Sequence, residues 1–238
     1  MGKVFILTRR EVATYFVSPV AYVAMALFLC LSGVFFAMAD FRPGAPAAMR
    51  SIFEVMTIVL IFIVPLVTMR ALSEERRLGT LESLLTAPVT DTQVVVAKFL
   101  GCWLFYLAML APTALYAVAL AMFGRPDYGP IASGYLGMAL MGGMYVSIGL
   151  LASSMTSSQV ISAITSVIAL FALALVFWWV APMVPQPYRR ILMEASVRTH
   201  YADFSQGVVD VVHIIYFIAV TVYALFFTVK VLESRRWR

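Results

Sequence analysis

Few residues in this 238-residue chain carry side chains suited to chemistry, and their spacing argues against most of it. His200, Asp203 and Asp210 offer imidazole and carboxylate donors at spacings of three and seven, one helical face, and so invite a metal site. Gly207 interrupts that helix, however, and helix caps and solvated loop residues explain the three more simply. Cys30 and Cys102 lie in apolar runs without metal-ligand spacing or a disulfide framework, and read as small packing residues. There is no G-x-x-x-x-G-K-[ST] phosphate loop, and no polar stretch is long enough to fold as a nucleotide-binding domain. We therefore assign no catalytic residue, no metal ligand and no cofactor bound by this chain.

The residues with an organised pattern form a charged island between two apolar runs, from Arg70 to Lys98. Ser73 can cap a helix whose first turn holds Glu74 and Glu75, where the helix dipole favours carboxylates. Arg76 and Arg77 follow, and Gly79 ends or loosens that turn. Thr80 can cap a second short helix, which Pro88 stops. On it Leu81 and Leu85 share a face with Leu78, while Glu75 and Glu82 share another. Thr90 and Gln93 form a T-x-x-Q capping box that opens the next apolar run. A helix this short needs a partner surface. Lipid is one candidate, but the glutamates make an anionic membrane a poor bed and favour a protein groove.

The elements that position this island are built for lipid. The chain is 63% hydrophobic with a mean hydropathy of +0.94, and 12% charged, against roughly 25% in soluble domains. Six apolar runs, near 19–39, 52–69, 97–123, 131–152, 159–181 and 211–229, are each long enough to cross a bilayer. No cleavable leader is evident, so the first run is an anchor. With the N-terminus inside, 11 of the 17 Lys and Arg residues fall on the cytoplasmic side and 6 outside, while the acidic residues divide 6 and 6. That bias places both termini and the charged island in the cytoplasm.

No Asp, Glu, Lys or Arg lies in the central part of any run. Ion-coupled carriers and intramembrane enzymes need such groups despite their cost. Energy must then enter from outside the bilayer. Neutral residues remain as candidates for a pathway: Tyr106, Thr113, Tyr116, Tyr145, Ser147, Ser162, Thr165 and Ser166. They suit amphiphilic, lipid-like or peptide cargo. The first residues form a basic amphipathic helix, with Val4, Phe5, Thr8, Val12, Tyr15 and Phe16 on one side. Lys3, Arg10, Glu11 and Thr14 face away, with Ile6 and Leu7 as exceptions; Arg9 belongs to the same helix. In the fourth run Ala139, Gly143 and Ser147 recur every four residues and allow close helix packing, within one subunit or between two. Pro65 and Pro112 allow bends.

The run from Glu75 through Gly79, Thr80, Leu81, Glu82, Leu84 and Leu85 to Pro88, with Lys98 opening the next span, closely resembles the permease subunits of ABC-2 type exporters. The resemblance covers essentially the whole chain, and includes Arg9-Arg10-Glu11 with Ser18-Pro19 and the turn from Gly149 to Gln159. It implies an all-α integral membrane protein of ABC-2, or type V exporter-like, architecture. The parts would be an interface helix at 1–18, spans one and two at 19–69, and a coupling-helix loop at 70–96. Spans three to five would follow at 97–181, short external re-entrant helices at 182–210, and span six with a cytoplasmic tail at 211–238. The short length, the His200 to Asp210 segment and the Arg-Arg-Trp ending look most like the gliding-motility-type branch.

The resemblance also implies the partners. Two copies of an ABC ATPase would bind ATP and Mg and dock on Glu74, Glu75, Arg76, Arg77, Gly79, Thr80, Leu81, Glu82, Leu84, Leu85 and Pro88. A second permease subunit, identical or homologous, would complete the pathway in the bacterial cytoplasmic membrane, and an accessory periplasmic or membrane protein could join them. Nothing points to nucleic acid. The chain would be a non-catalytic exporter subunit. The other readings are an ATPase-driven scaffold for a mechanical or envelope-assembly task, and a stand-alone channel or sensor without an ATPase.

Overall fold

The structure, a computed structural model, describes residues 2–39, 48–79, 90–124 and 126–235. Of the island, Thr80, Leu81, Glu82, Leu84, Leu85 and Pro88 lie outside the described residues. The fold is all-helical, with no strand among the described residues. Among the described residues six helical stretches are long and apolar enough to cross a membrane: Pro19–Ala39, Arg50–Arg77, Asp91–Met122, Tyr128–Met155, Gln159–Met183 and Val211–Ser234. These are spans one to six, and each corresponds to one of the six apolar runs. A helix is the one way such a run can satisfy its backbone inside lipid without a partner strand.

Span three is longer than its apolar run because the Thr90 capping box starts it early. The Thr90 hydroxyl accepts from the Gln93 amide and the Gln93 side chain from the Thr90 amide, both at 3.3 Å. Pro112 sits in a 3₁₀ turn, Ala111–Thr113, that interrupts the α-helical pattern of this span. The Thr113 hydroxyl donates to the Leu110 carbonyl at 2.6 Å there. Span five loosens into a π-helical turn at Ala172–Val176 without a proline.

Span four is the hub, because it offers glycines where neighbours need room. An added Cβ at Gly134 would meet the Phe53 ring at 2.3 Å, at Gly142 the Tyr106 ring at 2.0 Å, and at Gly149 the Thr68 hydroxyl at 2.2 Å. The same span's carbonyls accept side-chain donors. Tyr106 reaches Met138 at 2.9 Å, Trp103 reaches Ala139 at 3.0 Å and Tyr201 reaches Gly134 at 3.3 Å. Backbones held this close gain dispersion contact, which is what drives association where lipid removes the hydrophobic term.

At one end of the bundle the N-terminal helix, Gly2–Val17, lies against span three, and a short connector helix, Ser73–Arg77, follows span two. At the other end two short helices, Tyr188–Ala195 and Val197–Ser205, join spans five and six. The second packs on span four through fully buried Phe204 and through Ser133, whose hydroxyl donates to the Phe204 carbonyl at 2.7 Å.

Candidate functional site

The strongest concentration of charge inside the fold is a three-residue junction that joins the N-terminal helix, the connector and span three. Lys98 sits two turns into span three and is 3% exposed. Its ammonium lies 2.7 Å from a carboxylate oxygen of Glu75 and 3.1 Å from one of Glu11. A buried ammonium is tolerable only when paired. Here the two partners come from two other elements, so the pairing doubles as a register mark for both.

The N-terminal helix is held at this register by a row on span three. Gly101 comes first: an added Cβ would stand 2.6 Å from the Glu11 Cβ, so the helices cross backbone to backbone at that point. One residue on, Cys102 shares a hydrogen bond of 2.8 Å with the Tyr15 hydroxyl. Burial pushes the Tyr15 phenol well above its usual pKa, so it stays a neutral hydrogen-bonding group. Phe105 then stacks on Tyr15 and meets Phe16 edge-on, each at 5.5 Å between centroids.

The connector is held from the other side. The Ser153 hydroxyl, at the end of span four, accepts from the Leu72 and Ser73 amides at 3.1 and 3.0 Å and donates to the Met69 carbonyl at 3.1 Å. The expected cap at Ser73 is therefore replaced: its own hydroxyl turns back to the Met69 carbonyl, and the cap comes from another helix. Arg76 reaches the Ser154 carbonyl at 3.5 Å. Gly79 takes a positive φ of 70° just past the helix end, a conformation that costs a glycine nothing.

A cavity of about 280 Å³ opens beside the junction, lined by Arg10, Glu11, Arg70, Glu74, Glu75 and Lys98 among others. The Arg70 Nε within it is buried and has no hydrogen-bond partner among the described residues. Three cationic and three anionic side chains line this one hollow, so their formal charges balance.

Two expectations about this end need correction. Glu11 does not face away with Lys3, Arg9 and Arg10; it turns into the bundle to meet Lys98. The inward stripe is Val4, Leu7, Thr8, Glu11, Val12 and Tyr15, while Phe5 is 71% exposed. Hydropathy arithmetic placed a carboxylate outside because the buried counter-charge is 87 residues away. Lys98, read only as the opening of span three, is the centre of the junction. A lone lysine within an apolar helix, two turns past a capping box, was the available signal. Elsewhere Ala139, Gly143 and Ser147 lie beside Trp103 or inside this subunit: the Trp103 indole is 3.3 Å from where a Gly143 Cβ would be, and Ser147 is fully buried. Of the neutral pathway candidates, Tyr106, Thr113, Tyr145, Ser147, Ser162 and Ser166 are buried between helices, and Thr165 is exposed.

At the opposite end His200 and Asp203 do come together, but with His213 of span six rather than with Asp210. The two Nδ1 atoms of His200 and His213 are 2.7 Å apart, His213 Nε2 is 2.6 Å from the Asp203 carboxylate, and His200 Nε2 donates to the Glu194 carbonyl at 2.7 Å. Asp210 instead caps span six through the Val212 amide. The Glu194 carbonyl can only accept, so His200 Nε2 carries a proton, and the two facing Nδ1 atoms share one proton between them. Among the described residues no group of three or more His, Cys, Asp or Glu is disposed to hold a metal.

Comparison with known proteins supplies the context for the junction. A family model described as ABC-2 family transporter protein matches residues 47–194, which include the whole connector. The chain is 29% identical over 146 residues to the probable multidrug ABC transporter permease YbhR of Escherichia coli strain K12. The alignment covers 61% of this chain and 39% of that permease, and the counterpart in strain O157:H7 matches equally. The chain thus aligns with well under half the length of these relatives.

Proposed function

Because the chain belongs to the ABC-2 family of transporter proteins, we propose that it is the transmembrane permease subunit of an ATP-driven exporter, with the connector at residues 74–88 as its coupling segment. The observation that carries this reading is the buried junction at Lys98. A push on the connector reaches span three through Glu75, the N-terminal helix through Glu11, and span four through Ser153. The helix Ser73–Arg77 at its start is short but is tied at both faces to long helices, which is what a lever requires.

The energy comes from two ABC ATPase subunits that bind ATP and Mg and grip Glu74, Arg76, Arg77 and Gly79 together with Thr80, Leu81, Glu82, Leu84, Leu85 and Pro88. The permease contributes no bond-making chemistry. Two permease subunits enclose the pathway, and the cargo is amphiphilic, lipid-like or peptide. The family match and the name of the multidrug relative support this assignment. The 11-to-6 distribution of basic residues supports a cytoplasmic connector and cytoplasmic termini, in a bacterial cytoplasmic membrane. The segment from His200 to Asp210 supports a place in the gliding-motility-type branch.

The test is Glu82→Lys in the full complex. Substrate-stimulated ATPase activity should be lost while membrane insertion and yield stay unchanged. Unchanged stimulation removes the coupling role. Cargo flux in proteoliposomes with ATP and the partner ATPase separates export from a scaffold, which would hydrolyse ATP without flux.

A further inference from the structure

A second hollow lies at the end of the bundle away from the connector, between span two, span five and the helix Val197–Ser205. Its volume is about 420 Å³, within the range of small-molecule sites. On span two the lining residues Arg50, Glu54, Ile58 and Ile61 descend one helical face. From Arg50 to Ile61 that face drops about 16 Å, roughly half of a bilayer's hydrocarbon core. Ala174 and Leu175, at the π-helical turn of span five, form the opposite wall.

Three of the hydroxyls in the wall are already used. Thr57 donates to the Phe53 carbonyl, Tyr201 to Gly134 and Ser205 to Ala202, at 2.9, 3.3 and 2.7 Å. The wall therefore presents methyl groups and ring edges, and water inside it gains little. The rim is different. Arg50 and Arg198 share the single carboxylate of Glu54 at 3.6 and 3.7 Å, longer than good charge-assisted hydrogen bonds. All three side chains are partly exposed, and they leave one positive charge in excess. Arg198 is also stacked over Trp178 at 4.3 Å, which fixes its guanidinium plane at the level where tryptophans meet headgroups.

We propose that this hollow binds an anionic phospholipid, with the phosphate diester between the Arg50 and Arg198 guanidiniums and one acyl chain along Ile58 and Ile61. A cationic rim above an apolar slot as deep as one leaflet matches that occupant, whereas a second protein copy would have to bury the excess charge. Under the orientation proposed above the lipid comes from the outer leaflet. Only that leaflet assignment rests on the transport reading; the site itself does not.

The experiment uses the purified full chain with any subunits that remain bound. Phosphatidylglycerol or phosphatidylcholine of the same chains is titrated in, and bound lipid is counted by native mass spectrometry. Phosphatidylglycerol should be retained in preference. The Arg50→Gln, Arg198→Gln double variant should lose about tenfold in that retention, the worth of one charge-assisted contact. Ile58→Trp should reduce binding by filling the slot. Glu54→Gln should increase it by removing the competing carboxylate, a gain that misfolding cannot produce. Equal retention of both lipids, or no response to these variants, overturns the proposal. So does displacement of the lipid by inorganic phosphate alone, or a disulfide between two copies of Ile58→Cys. Loss of ATPase coupling in Glu82→Lys with lipid retention intact leaves the two readings separate.

Discussion

Lys98 decides more of this molecule than any other single residue, because its ammonium is buried and its two counter-ions belong to different helices. Replacing it with methionine would leave two carboxylates facing each other in a half-dry pocket. We expect Lys98→Met to cost about 3 kcal/mol of stability, the scale for one partner removed from a buried pair, read as unfolding in detergent. Glu11→Gln should cost less, since Glu75 still pairs with the lysine. A Lys98→Met variant as stable as wild type would show that the junction is solvated. The glutamates were legible in the sequence as charges, but their direction was not. Helical periodicity sorts residues by hydropathy, and only a distant partner turns an acidic residue inward.

Elements are joined here by contacts between residues far apart in sequence, and two of those joints can be opened selectively. Gly101→Val would push a branched side chain into Glu11 and lift the N-terminal helix from span three. The backbone at Arg9 and Arg10, whose side chains are already exposed, can then open, and we expect tryptic cleavage there to quicken about tenfold at unchanged membrane insertion. At the other end the two-histidine chain ties the helix Val197–Ser205 to span six. Burial holds the His200 pKa below its ordinary 6.5. A base with a lowered pKa in the folded state stabilises above that value and loses its contribution as the pH falls. A second proton would also set two N–H groups against each other across 2.7 Å. The groups facing the pair are Asp203 and the Tyr216 ring stacked on His200, with Asp210 engaged at the Val212 amide. The melting midpoint should therefore drop between about pH 7 and pH 5, and the drop should vanish in His200→Gln. An equal drop in that variant would assign it to other groups.

For the whole molecule, the placement of charge predicts a sidedness that can be measured. Asp127→Cys and Ser157→Cys put thiols at exposed positions at opposite ends of span four. A membrane-impermeant thiol reagent added outside intact cells should label the first and spare the second, against the background of Cys30. Labelling of Ser157→Cys alone would reverse the orientation and move the connector outside. The six spans and their order could be read in advance because lipid imposes a simple rule of length and apolarity that a single sequence satisfies or fails.

By itself the sequence determined what is local or imposed by the bilayer: the six spans, the capping box at Thr90, the turn at Gly79 and the charged character of the connector. Hydrogen bonds three residues apart and runs of about twenty apolar residues need no knowledge of the fold. Tertiary structure alone decided which side chains of different helices meet. It brought Ser153 to the connector, Glu11 and Glu75 to Lys98, His213 to His200, and Arg198 to Glu54. The helices that carry these side chains approach closely where glycines leave space, Gly101 of span three beneath Glu11, and Gly134, Gly142 and Gly149 of span four beneath Phe53, Tyr106 and Thr68.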